Sequence, residues 1–200
     1  LEYLLSHDFS PIATESVSYT RHSMRELWRF DWDVYPVDRL ALATAMHTSG
    51  PTLLLMLRDD APRAGVPAAV RLRSLRGAAA EGERHPDELR AVLDPPNAII
   101  NFVHVADEPA DLVRELGIYL DRVPRRALLK RIEEGGSTDS VAETRKRIDE
   151  LEAERPAHDF DFAATLRRLA DAGIIDEAGR ERLQSAAQPP HLPWDELTAI

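Results

Sequence analysis

Cysteine is absent from the 200 residues, so neither a disulfide nor a thiolate metal site can be built. That absence fits a reducing compartment, and cytoplasmic residence is the expectation. Long apolar runs are missing as well. A membrane helix needs about 20 consecutive apolar residues, whereas the longest candidate, Pro51 to Leu57, is strand-sized, so no membrane partner is expected. No basic segment followed by an apolar one is seen, and no secretory signal is read. The chain opens at Leu1 within a helix-like pattern, which reads as a fragment. Positive charge is short: Lys and Arg number 25 against 35 Asp and Glu, for a net charge of −10. Phosphate backbones reward clustered positive charge, so nucleic acid is not an expected partner. Lysine is nearly missing, with only Lys130 and Lys146. Arginine carries the remaining positive charge, and its planar fork suits phosphates and carboxylates. His7, His22, His47, His158 and His191 lack paired ligand spacing, and no metal site is expected from the protein alone.

What remains is ordinary for a globular chain, 44% hydrophobic and 30% charged, enough for one core and a small appendage. Leu1, Leu4 and Leu5 have helical spacing, stopping at His7-Asp8-Phe9. The alternation in SPIATESVSYT puts Ala13, Val17 and Tyr19 on one face of a strand. Ser23 is read as the cap of a helix reaching Trp28 or Phe30. VDRLALATAMHT is read as a helix with an inward stripe of Leu42, Ala45 and Met46. The apolar run after Pro51 marks a strand covered on both faces. A helix over 66–76 ends at Gly77, with Arg71, Arg73 and Arg76 read as a solvated face. One helical turn is expected within 86–93, a second central strand over AIINFVHV (98–105), and a helix over 108–121. Beyond Pro124 a charged helix leads to a helical hairpin turned at Gly173, with Asp176 as a cap and Phe160, Phe162, Leu166 and Leu169 as packing residues.

His104 ends the second apolar run, and Asp107 and Glu108 open the next helix. Ligands gather beyond strand carboxyl ends, and helix N-termini favour anions. A neutral imidazole there can accept a phosphoryl group. Glu115, eleven residues on, can orient the far ring nitrogen. On the residues alone, a partly buried packing histidine is the competing reading.

Taken together, LEYLLSHDF, TSGPTLLLML, RLRSLRG, PDELR and NFVHVADEPADLVREL resemble nucleoside diphosphate kinases, from about residue 1 to residue 121. The resemblance implies an α/β fold, a ferredoxin-like sandwich with an antiparallel sheet. It also implies phosphoryl transfer from a nucleoside triphosphate to a diphosphate through His104. Asn101 matches the asparagine three positions before that histidine, Glu115 the glutamate orienting the ring, and Asp107 the aspartate just after it. Arg73 and Arg90 match two phosphate-binding arginines, and Mg²⁺ is expected with the nucleotide. Tyr35 is the nearest tyrosine to the family's, and Arg39 falls where the family stacks its base on an aromatic ring. Departures are plain. The family's first strand with its lysine has no counterpart, and Val105 and Ala106 replace a glycine and a serine. The division expected is a kinase-like domain over 1–121 and a helical extension over 122–200. A homo-oligomer is expected, with the extension available for a protein partner. The alternative is a degenerate module that binds a nucleotide or protein and transfers nothing.

Overall fold

The computed structural model describes residues 1–30, 37–135, 140–154 and 161–185. It divides into two compact units, Leu1–Glu154 and Arg155–Ile200. The first is mixed α/β, built on one antiparallel pair, β1 (Phe9–Ser18) with β2 (Pro51–Asp59). Register runs from Phe9 opposite Asp59 to Ser18 opposite Pro51, and a bulge at Ile12 breaks it between Pro11 and Ala13. Alternation in β1 buries Phe9, Pro11, Ala13 and Val17 while Ser16 and Ser18 stay exposed, as a half-buried strand requires.

β2 is covered on both faces, which is why its sequence is a continuous apolar run. Leu54 and Met56 join Ala13 and Val17 against α6 (Pro109–Tyr119) and α7 (Arg122–Glu133), where Leu116 and Leu128 are buried. Leu55 and Leu57 pack on the opposite face with Phe9. There Leu4 of α1 (Glu2–Ser6), Leu72 of α4 (Ala68–Arg76) and Leu89 of α5 (Leu89–Leu93) close the core. Burying such side chains contributes about 1.5–3 kcal/mol each.

Arg71 overturns one expectation. It is not solvated: its guanidinium pairs with Asp59, donates to the His7 carbonyl at 2.7 Å and lies 4.6 Å above the Phe9 ring. Helix α4 ends at Gly77, whose φ of 80° suits glycine and whose missing Cβ leaves room for the Glu88 side chain.

Three local readings also change. In α2 (Arg21–Leu27) the cap is Thr20, not Ser23; Thr20 Oγ1 accepts from the Ser23 N–H and Ser23 Oγ accepts in turn from the Thr20 N–H, a reciprocal capping box. In α3 (Val37–Thr48) Leu40 is buried and Ala45 exposed, so the inward stripe is rotated from the one expected. Residues 98–105 form no strand. Among the described residues no strand lies alongside them to make a ladder, and the carbonyls of Val103 and Val105 are taken by Arg90 (2.7 Å) and Arg76 (3.3 Å).

Residues 122–154 belong to the first unit rather than to an extension. Leu128 is 0% exposed within the core. On α8 (Ser140–Glu154), Ser140 bonds the Pro11 carbonyl and Thr144 meets Thr14, oxygen to oxygen, at 2.6 Å. In the second unit, α9 (Phe162–Asp171) and α10 (Glu177–Ser185) form the expected hairpin. Asp161 caps α9, Gly173 turns at φ 69°, and Asp176 accepts from the Gly179 N–H at 2.7 Å. Among the described residues Leu166 and Leu183 are its buried hydrophobic side chains, whereas Phe162, expected to pack, is 37% exposed; Phe160 lies outside the described set. No helix among the described residues is long and apolar enough to cross a membrane.

Candidate functional site

Helix α6 starts where the sequence places it, with Glu108 at the cap position and Pro109 in the first turn, where a missing N–H costs nothing. Residues 101–106 lead irregularly into that start, with the Val103 N–H bonded back to the Asn101 carbonyl at 2.8 Å, and Glu115 sits on α6 with its carboxylate nearly fully buried. His104 Nε2 lies 3.0 Å from both Glu115 oxygens. A carboxylate accepts, so in the neutral ring the proton is on Nε2 and the lone pair on Nδ1. Among the described residues Glu115 also accepts from Tyr119 Oη at 3.2 Å and from Arg114 at 3.5 Å. Two residues before His104, Phe102 has φ 63°, an arrangement that costs on the order of 1–3 kcal/mol for a side chain of that size. The strain sits where the chain must turn to deliver the imidazole.

An aromatic ring of contacts surrounds the pair. Trp28 stands edge-on to His104 at 5.5 Å and tilted to His47 at 5.2 Å. Tyr19 meets His47 at 5.6 Å and Tyr119 at 5.8 Å, which leads back to Glu115. Burial raises the Tyr19 and Tyr119 phenols above their ordinary values, so both donate as neutral groups. Burial first, and the neighbouring His104 second, lower the His47 pKa below 6.5.

A cavity of about 410 Å³ opens beside the imidazole. Of the residues expected at a site, His104, Glu115, Asn101, Arg90, Asp107 and Arg39 all line it. Asn101 is held by a bond to the Ala98 carbonyl at 3.1 Å. Arg73 does not line it. It is 56% exposed and pairs with Asp107 at 3.1 Å, while Arg76, 16% exposed, takes the wall and reaches Asp107 at 3.3 Å. Tyr35 lies outside the described residues. Trp28, His47, Arg76 and Arg114 are additional lining residues that motif matching passes over. Phe30, 75% exposed at the same cavity, is an aromatic surface that the sequence reading left at a helix end. The departures Val105 and Ala106 do not face this cavity; they line an apolar one on the other side of His104.

The chain matches no family model and no curated protein sequence.

Positive charge concentrates on one wall. Arg90 is 6% exposed and donates to the carbonyls of Gly77 (3.1 Å) and Val103 (2.7 Å). Arg84 closes the same loop through the Ala79 carbonyl at 2.6 Å. Burial, with Arg76 and Arg84 nearby, brings the Arg90 guanidinium to about 10, so it stays charged at neutral pH. The Nε–H groups of Arg76 and Arg90 are buried without a partner. A buried donor left unpaired costs about 1–3 kcal/mol, and an anion relieves that cost. No group of three or more His, Asp or Glu among the described residues forms a metal cage. Two carboxylates, Asp107 and Asp111, line the cavity, each paired with an arginine.

The His47 shift makes stability pH-dependent with a definite sign. Unfolded chains protonate histidine near pH 6.5 while the folded site resists, so stability falls as pH drops through about 6.5. His47→Gln removes this contribution. Thermal melts from about pH 7.5 to about 5.5 should show a shallower loss of Tm for the variant than for the parent. Parallel curves would show that His47 does not carry the effect.

Proposed function

We propose that the chain is a nucleoside diphosphate kinase-like phosphotransferase in which His104 Nδ1 is the phosphoryl acceptor. The observation that carries this reading is the two-oxygen hold of Glu115 on Nε2, which leaves the lone pair on Nδ1 of a histidine that lines a cavity walled by arginines. In the first step the Nδ1 lone pair attacks the γ-phosphorus of a nucleoside triphosphate. The bond to the β,γ-bridging oxygen breaks and the diphosphate leaves. The positive charge that forms on the ring is offset by Glu115. In the second step a terminal oxygen of an acceptor diphosphate attacks the same phosphorus, and the N–P bond returns its electrons to Nδ1. Arg76 and Arg90 face the developing charge, Asn101 lines the approach, and Mg²⁺ bound to the phosphates supplies further neutralisation. Phe30 and Trp28 offer rings for the base, in place of an aromatic at Arg39. The fold that goes with this reading is a ferredoxin-like sandwich.

A second reading has its own support. Arg76 and Arg90 already serve backbone carbonyls, and Asp107 is occupied by Arg73 and Arg76, as befits a module that binds a nucleotide without transferring from it. Incubation with γ-labelled ATP separates the two. The transferase yields an acid-labile, base-stable protein phosphate that is lost in His104→Ala and chased onto added diphosphate. No label at high enzyme and ATP, with a nucleotide-dependent rise in Tm, leaves the binding module.

A further inference from the structure

Between Asn101 and Ala110, the stretch that carries His104, no side chain has a hydroxyl. Donors that fix the buried Glu115 carboxylate must therefore come from elsewhere. Its two oxygens stand equally far from His104 Nε2, 3.0 Å each, a hold that rotation of the carboxylate breaks. Each oxygen has one further donor among the described residues. Arg114 reaches Oε1 at 3.5 Å, near the limit of a hydrogen bond, and is already engaged by Asp111 at 3.4 Å and the Glu26 carbonyl at 3.0 Å. The closer donor is the Tyr119 hydroxyl, 3.2 Å from Oε2. Tyr119 lies four residues beyond Glu115 on α6, one helical turn away, so the two side chains share a face. Its ring cannot follow a turning carboxylate. It packs against the cluster of Ala13, Val17 and Leu116 and against that of Tyr19, Met24 and Leu27. Burial foremost raises its phenol far above the ordinary value, so the hydroxyl keeps its proton and donates. A donor anchored in two hydrophobic clusters fixes the acceptor it bonds.

We propose that Tyr119 is a positioning residue of the His104 site: its hydroxyl, held by the core, pins Oε2 so that both Glu115 oxygens stay on Nε2. Without that bond the carboxylate turns, one oxygen leaves the ring, and the Nε2–H opens to water. Tyr119 does not line the polar cavity, so it acts through Glu115 and not on a ligand there. Its consequence for chemistry rests on the phosphotransfer reading. As positive charge forms on the imidazole, Tyr119 keeps the carboxylate where it offsets that charge. The placing of Glu115 itself needs no reaction and can be measured without one.

The test compares the 200-residue chain with two variants. Tyr119→Phe keeps the packing and removes the donor; Tyr119→para-aminophenylalanine keeps a donor at the same place. The His104 Nε2–H signal in proton NMR, assigned by its loss in His104→Gln, reads the hold directly. Its exchange with water is expected to be about tenfold faster in Tyr119→Phe, the scale of one hydrogen bond to a charged group, and near the parent's in the amino variant. Labelling by γ-labelled ATP at saturating nucleotide is expected to slow about tenfold in Tyr119→Phe, while the nucleotide concentration giving half the maximal rate stays within about twofold. Exchange in Tyr119→Phe within a factor of about two of the parent overturns the proposal. So does equal acceleration in both variants, because packing rather than donation then holds Glu115. If the parent takes no label while the exchange rates differ as expected, the phosphotransfer reading falls and the placing of Glu115 by Tyr119 stands.

Discussion

Glu115→Gln is expected to lower phosphoryl labelling of His104 by on the order of 10²–10⁴-fold, the scale seen when a buried carboxylate that sets an imidazole tautomer is amidated. Both carboxylate oxygens stand 3.0 Å from Nε2, so any amide placed there must offer its NH₂ on one side. Arg114 donates toward Oε1, which favours the amide oxygen there and the NH₂ toward Tyr119 and the ring. An NH₂ donating to Nε2 moves the ring proton to Nδ1, where it blocks attack on phosphorus. The amide also cannot offset the charge of a phosphorylated ring. Single-turnover labelling measures the effect, and nucleotide-induced Tm shifts should stay near those of the parent, since the phosphate wall is untouched. Labelling within a factor of about three of the parent would remove Glu115 from the chemistry.

The largest expected effect on stability comes from Arg71→Ala, a loss of about 3–5 kcal/mol, because it strands the Asp59 carboxylate in the core. The Asp59 side chain is 5% exposed and Arg71 9%, and Asp59 Oδ2 has no hydrogen bond even in the parent. Removing the guanidinium also opens the His7 carbonyl and uncovers the Phe9 ring. Changing both partners to apolar residues, Arg71→Met with Asp59→Leu, should recover much of the loss, since no buried charge is then left alone. Urea unfolding of parent, single and double variants measures this. A single-variant cost below about 1 kcal/mol would mean that water reaches Asp59 and the pair is a surface one.

These two residues show how unevenly the sequence could be read. Glu115 was legible because an apolar run, a histidine and a proline-marked helix start fix the local path, and two turns of helix bring the carboxylate back to the ring. Arg71 was not, because its partner lies across a turn on β2, and charge on a helix gives no sign of its burial. Arg73 and Arg76 stand three apart on one helix face and share Asp107, so motif spacing could not tell which would turn inward. The run at 98–105 pairs with no strand among the described residues, because pairing depends on a neighbour remote in sequence, and none of its residues is fully buried, with Phe102 49% exposed. The covering of β2 on both faces was visible in its unbroken leucines. The boundary at residue 121 failed because α7 and α8 are charged around most of their surface; Leu128 and Thr144, both 0% exposed, bind them to the core through a narrow stripe.

His104 borders both cavities, the polar one and the apolar one lined by Val105 and Ala106, as a shared partition. Anything that fixes the imidazole from one side changes its freedom on the other. Thermodynamic reciprocity then applies: whatever factor a ligand in the apolar cavity would impose on anion affinity, the anion would impose on that ligand. A single side chain would thus make the two binding events report on each other.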